Sequence, residues 1–416
     1  MAGDIDYLDS TSWEEGAILE RMRWLRTHDP VHWSEASQIW VLSRFAEVSY
    51  VSKHNKIFCS GEGIRPGNVA KIGLIDEDEP RHTRLRGLIN KGFTPRMVAT
   101  LEPVLRAIVD ETLDLVAPRG ACDFVQDISV PIPLLIIAEM IGIRREDREL
   151  FHHWSDALVA ADGNLERPEI MDKASEAFLA YSAYVSEIIE DRRAHPKADL
   201  VSILVGAKDD GVLGSGDREL PMSTSAEHSQ LANDELIMLM VLLMVAGNET
   251  TRNAISGGMQ LLIEHPAERQ KLLDDPSLLS SAVEEMLRLV SPVRQFARTA
   301  TQDAELGGRT IKAGQKVLMI YPSANRDAEV FDDPDTFRVE RNPDHLAFGI
   351  GNHFCLGANL ARMEMRITFG EILRRMPDME YAASGPVLVP AALVRNCASM
   401  PVRFTPEQGE ALRAES

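Results

Sequence analysis

The chain has 416 residues, 44% of them hydrophobic and 26% charged, which is enough to bury a sizeable core in one large domain or two ordinary ones. Its net charge of −20 argues against nucleic acid as a partner, since phosphate binding needs a basic surface, and against anionic membranes.

The N-terminus reads MAGDIDYLDS, with no basic stretch followed by an apolar one, so no signal peptide is expected. The longest apolar run, 236–247, is too short to span a bilayer, and the expectation is a cytoplasmic protein without a membrane anchor. Residues 39–42 form a first strand-like segment. Aliphatic residues then recur at helical spacing over 97–115, 134–143 and 178–192. Residues 208–233, rich in Gly, Ser and Asp, read as a flexible surface loop.

Next comes a run, 236–245, that is apolar on all sides and so is expected as a buried helix. It leads directly into Ala246-Gly247-Asn248-Glu249-Thr250-Thr251. A carboxylate and two hydroxyls at such a place are costly unless used or paired. The small Ala246 and Gly247 let a ligand approach the backbone, and Thr250 could bond back to a carbonyl and distort the helix. The plain alternative is a polar helix end facing water. Helical segments stop at Pro or Gly, as at His265-Pro266. Glu285 and Arg288, three apart in an amphipathic helix, share a face. Taken alone they are a surface ion pair of little worth. Short strands follow within 297–321, punctuated by Gly307-Gly308 and Ala313-Gly314. With no repeats and no clear boundary, the expectation is a single domain over 1–416, with a tail at 406–416.

The segment Phe348-Gly349-Ile350-Gly351-Asn352-His353-Phe354-Cys355-Leu356-Gly357 carries the most information. Its two glycines before the cysteine permit a tight turn beneath a flat ligand. Residues 356–375 are helical in pattern, which puts Cys355 at a helix N-terminus. Unpaired N–H groups and the helix dipole there favour a thiolate, the form a soft, electron-donating metal ligand must take. The other cysteines, Cys59, Cys122 and Cys397, are scattered without a C-x-x-C pair, which fits a reducing compartment. For an isolated cysteine a buried structural role is the default, but the spaced Phe-Gly-x-Gly-x-His-x-Cys-x-Gly pattern reverses it.

This loop resembles the haem-binding signature of the cytochrome P450 family, and the order and spacing of motifs extend the resemblance to about Thr405. The resemblance implies a mainly α fold with small β-sheets, haem b lying between a long central helix and the cysteine-loop helix. It implies Cys355 as the axial ligand of the haem iron, and Ala246, Phe348 and Gly357 as haem contacts. His82, Arg86, Arg298 and His353 match the family's donors to the two propionates. Residues 246–251 resemble the oxygen-activation motif, implying a local kink beside the iron. Thr250 would hold water or oxygen there by a hydrogen bond, and Glu249 would relay protons inward. Peroxide-driven relatives replace this acid–alcohol pair, so its presence points to O2 and external electrons. Glu285 and Arg288 match the family's Glu–Arg pair, completed by Arg341, a network for folding rather than chemistry.

A G-x-G-x-x-G segment and a four-cysteine cluster are both missing, so electrons are expected from a separate ferredoxin and ferredoxin reductase. Arg81, Arg84, Lys91, Arg96, Arg362 and Arg366 flank the thiolate side, either as a basic docking patch or as scattered solvated charges. The resemblance places pocket lining at 60–71, 158–180, 241–246, 292–296 and 392–394, rich in aliphatic residues that suit an apolar guest. Arg65 and Arg294 either meet a polar group on that guest or join the propionate donors. Residues 247–258 and 323–362 look most like bacterial members acting on sterol side chains, branched lipids or terpenoids. The expected activity is a monooxygenase inserting one oxygen atom into an unactivated C–H of a sterol or other lipid. The alternatives are a macrolide or polyketide hydroxylase and, in another class, a non-catalytic haem-based ligand binder, against which the Glu249–Thr250 pair speaks.

Overall fold

The computed structural model describes residues 4–65, 73–161, 167–197, 199–206 and 231–407. Most of the loop expected at 208–233 and the end of the tail at 406–416 lie outside them. At the loop's end, Leu231 is already buried and Asn233 opens a helix.

That helix, Asn233–Glu264, is the axis of the molecule. Its start is capped by Glu235, whose carboxylate accepts the Ala232 N–H at 2.9 Å. It ends at His265, where Pro266 begins the next helix. Helices Pro131–Ile141, Pro168–Ala194, Leu279–Val290 and Ala358–Arg375 all pack against it. The apolar run read from the sequence is therefore buried, with Leu236, Met240 and Met244 fully enclosed.

The helix expected at 97–115 is two, Pro95–Thr100 and Glu102–Val116. Pro103 is the reason: without an N–H it sits comfortably in a first turn and poorly in a helix interior. The other predicted helices are present and longer, at Pro131–Ile141 and Pro168–Ala194.

The strand expected at 39–42 is Ile39–Leu42. It belongs to a five-stranded sheet whose order is Val31–Ser34, Ile39–Leu42, Lys316–Ile320, Gln295–Ala300, Phe58–Cys59. All pairs are antiparallel except Ile39–Leu42 with Lys316–Ile320, where Trp40 lies opposite Val317. The sheet has its own small core around Leu42, Phe58, Val317 and Met319, separate from the large helical core. Strand Gln295–Ala300 matters for the site, because it brings Phe296 and Arg298 to the edge of the helical layer.

Candidate active site

A large cavity, about 1540 Å³ of atom-free space including its mouth, lies between the central helix and the cysteine loop. One wall is Leu243, Ala246, Gly247, Thr250 and Thr251 of the central helix. The opposite wall is Phe348, Cys355 and Gly357.

The cysteine loop is shaped by its glycines. Gly349 and Gly351 have φ of +67° and +81°, the left-handed region that a side chain disfavours. At Gly351 a Cβ would also stand 2.6 Å from the Ser52 carbonyl oxygen. The turn is closed by the Cys355 N–H, which donates to Phe348 O at 2.9 Å. The following helix is Ala358–Arg375, so Cys355 lies three residues ahead of it rather than in its first turn. Burial pushes the thiol up, while a hydrogen bond from Gly357 N–H and the charges of Arg86 and Arg362 pull it down, and burial wins. A metal ion held by Cys355 would deprotonate the thiol and offset this burial.

At one end of the cavity four basic side chains crowd together. The rings of His82 and His353 lie 4.1 Å apart, and Arg86, Arg298 and His353 all line the cavity. Arg86 donates to Phe354 O, and Arg298 to Ala297 O at 2.8 Å. Neither guanidinium has a carboxylate at ion-pair distance among the described residues. Both ring nitrogens of His82 are buried without a hydrogen-bond partner, Glu79 standing 3.6 Å away. Burial and the positive Arg298, His82 and Arg86 push His353 down to about 2. Desolvated, and with the carboxylates of Asp76, Asp78 and Glu79 acting on it, such a cluster suits an anion with two charges. Haem matches the whole arrangement: two propionates for the cations, a flat apolar body for the walls, an iron for the sulfur. Ser60, which sequence reading did not single out, meets His353 Nε2 at 3.1 Å and fixes that ring.

On the central helix the expected pair divides. Thr250 lines the cavity and donates its hydroxyl to Ala246 O at 2.7 Å. Glu249 points elsewhere, into a buried pocket where Arg252 Nη2 at 2.8 Å and Asn253 Nδ2 at 3.0 Å both hold its Oε1. Its Oε2 is buried without a partner, and burial raises its pKa. Asn253 in turn accepts the Cys397 N–H at 3.0 Å, tying the acid to the C-terminal strand Asn396–Ser399. Arg252 and Asn253 were missed, although their spacing of three and four from Glu249 was a usable signal. The helix is α-helical without interruption, so the kink expected there is reduced to one side chain bonding its own backbone.

Glu285 and Arg288 are fully buried and joined by two bonds, at 2.7 and 2.8 Å. Arg341 Nε approaches Glu285 Oε1 at 2.9 Å. Arg288 also donates to Asn325 O and Pro334 O, each at 2.7 Å, which pins the segment leading to the cysteine loop.

Several expectations need correction. Arg294 does not face the cavity: it donates to Trp13 O, pairs with Glu15 and stacks over the Trp13 ring. Arg81 pairs with Glu77 and Glu235, and Arg362 with Glu284, so two members of the expected basic patch are already neutralised. Of the expected pocket segments, 241–246 and 292–296 contribute, whereas among the described residues 158–180 and 392–394 do not. Residues 66–71 lie outside the described residues. Ile75, Phe93 and Ile137 line the cavity and were not foreseen. No helix among the described residues is long and apolar enough to cross a membrane.

A family model described as cytochrome P450 matches residues 38–377. The chain is similar to a steroid C26-monooxygenase of Mycobacterium tuberculosis, 38% identical over 408 residues, covering 97% of this chain and 98% of that protein. It is also similar to a Bacillus megaterium cytochrome P450 solved in complex with testosterone, with a TM-score of 0.82 and 34% identity over 92% of this chain and 98% of that one. A third similar protein is the cytochrome P450 of the Bacillus subtilis bacillaene polyketide synthase, with a TM-score of 0.84 and 31% identity over 96% of this chain and 100% of that one.

Proposed function

The chain belongs to the cytochrome P450 family, a haem-dependent monooxygenase, and we propose that its substrate is a sterol or comparable lipid, hydroxylated at an unactivated C–H of the side chain. Bound in the cavity, haem supplies the activation of O2 and the insertion of one oxygen atom into that bond. The observation that carries the reading is one cavity lined by Cys355 on one wall, Thr250 on the other, and the cations Arg86, Arg298 and His353.

In this proposal Cys355 would hold the haem iron through its sulfur, and Ala246, Phe348 and Gly357 would line the site of its flat body. His82, Arg86, Arg298 and His353 hold the propionates, with Ser60 orienting His353. Glu249 is the proton donor. Burial raises its pKa, which favours the protonated form, and its Oε2 is buried without a hydrogen-bond partner. Thr250 passes the proton on once its hydroxyl leaves Ala246 O. Glu285, Arg288 and Arg341 keep the cysteine loop in place.

The substrate class rests on two supports. The lining is dominated by Leu242, Leu243, Val293, Phe296 and similar groups, which select by shape. Relatives named for steroid oxidation match nearly the full chain. Cytochromes P450 take electrons from redox partners, and a ferredoxin with its reductase in the cytoplasm is the proposed source here. With Arg81 and Arg362 paired, and Arg84 and Lys91 also holding partners, Arg96 and Arg366 are the candidates for its docking.

The deciding experiment is a titration of the haem-loaded protein with sterols, fatty acids, terpenoids and macrolides, read from the Soret band. A shift with sterols at micromolar concentration supports the proposal. A shift with macrolides alone moves the assignment to a polyketide-type substrate, for which the similarity to the bacillaene enzyme is the support.

A further inference from the structure

We propose that Glu284 and Arg362 form a charge pair beside the cysteine loop that sets the reduction potential of the haem iron held by Cys355. This inference rests on the haem-thiolate reading of the site.

Glu284 sits on helix Leu279–Val290, next to Glu285 but serving a different network. Its carboxylate receives Arg362 as a fork, Nε to Oε1 at 2.7 Å and Nη2 to Oε2 at 2.8 Å. A third donor completes it: His345 Nε2 lies 3.2 Å from Oε2. The tautomer follows from the other nitrogen, since His345 Nδ1 accepts the Ala347 N–H at 3.2 Å and the proton must sit on Nε2. Burial pushes the Glu284 carboxyl up, but His345 and Arg362 hold it down at about 2, so it is an anion at any working pH.

Arg362 belongs to the helix that follows the ligand, Ala358–Arg375. Its guanidinium lies 4.6 Å from the centre of the Phe348 ring. Phe348 lines the cavity, and its carbonyl takes the N–H of Cys355. A cation therefore stands against the ligand loop, with its counter-charge one step farther out. The helix carrying Glu284 and the helix carrying Arg362 are packed together, so the geometry is rigid.

The electrostatic consequence has a sign. Reduction adds an electron to the iron site, so nearby positive charge favours it and negative charge opposes it. Neutralising Glu284 leaves Arg362 uncompensated and raises the potential. Neutralising Arg362 leaves Glu284 uncompensated and lowers it. Neutralising both returns the potential close to that of the parent. A purely structural role predicts that the two single changes damage the site alike.

The test is a spectroelectrochemical titration of the haem-loaded parent, E284Q, R362Q and the double variant, with the reduced carbon monoxide spectrum checking that thiolate ligation is kept. The expected result is shifts of opposite sign, each a tenfold change in the ferric–ferrous equilibrium, or about 59 mV for a one-electron couple. Shifts of the same sign, or none, overturn the proposal. R362K guards against a variant that fails to load haem. It keeps the charge but loses the fork, so its potential stays near the parent, and a large fall rules out charge as the cause. A parent that takes up no haem overturns the site reading instead.

Discussion

The hydroxyl of Thr250 is hydrogen-bonded to the carbonyl oxygen of Ala246, 2.7 Å away on the same helix, although its side chain lines the cavity. In this state the hydroxyl proton is engaged by the backbone, and the proposed delivery of a proton through Thr250 requires that bond to open. Substituting Thr250→Ala removes the proposed carrier. With a ferredoxin and reductase supplying electrons, their consumption is expected to continue while hydroxylated product per electron pair falls by roughly ten- to a hundredfold, with the balance released as peroxide. Parallel assays of reductant, peroxide and product check this.

Glu249 gives a pH prediction. Burial raises its pKa, and Arg252 works in the opposite direction through its charge and its hydrogen bond. Removing that cation in R252Q raises the pKa further. In the proposed role the protonated form is the donor, so the fall in product formation on the alkaline side is expected to move to higher pH in R252Q. A pH profile of product formation for parent and variant would show the shift, and movement to lower pH would contradict the assignment of Glu249 as acid.

Glu364, on the helix after the ligand, lines the cavity and is buried, with Oε2 lacking any hydrogen-bond partner. Burial raises its pKa from 4.5 to about 8. Its folded pKa lies above its unfolded one, so its contribution is most favourable below about 4.5 and is lost as pH rises to about 8. The slope is about 1.4 kcal/mol per pH unit across that window. Glu364→Gln removes this slope, so urea unfolding should find the variant gaining on the parent by a few kcal/mol between the ends of the window.

Arg298 should separate the haem-free protein from the loaded one. Without haem it is a desolvated cation beside His353, with Asp78 and Asp76 as the carboxylates that act on it. Arg298→Gln should leave haem-free stability unchanged or higher. Haem retention should fall, since losing a charged hydrogen bond of about 1.5–3 kcal/mol speeds release roughly ten- to a hundredfold. Haem transfer to an acceptor protein measures the second effect and thermal unfolding the first.

The Glu285–Arg288 pair is fully buried, so removing one partner strands a charge. Glu285→Ala is expected to lose about 3–5 kcal/mol and most of its haem on purification. The ratio of haem absorbance to protein absorbance reports it directly.

The parts legible in the sequence were those with local periodicity or fixed spacing. The apolar run before Ala246 could only be a buried helix, and the glycine-spaced loop before Cys355 could only be a tight turn. Split helices were less legible, because Pro103 is compatible with either a first turn or a disrupted interior until its neighbours are known. Long-range partners were not legible at all. Nothing near Arg294 announces Glu15, and nothing near His353 announces Ser60, since those pairs join segments 279 and 293 residues apart in sequence. The orientation of Glu249 away from the cavity depends on Asn253 meeting Cys397, a contact across 144 residues.

That contact has a practical consequence for recombining this chain with relatives. The amide of Asn253 bridges two segments that a designer would treat as separate modules, one supplying the oxygen-side helix and the other the C-terminal strand. A chimera with its crossover anywhere between them inherits the two halves of the bridge from different parents. Unless both parents hold the strand at the same height, the carboxylate it orients is displaced, and under the proposed role of Glu249 the hybrid is expected to bind haem yet waste its reducing equivalents.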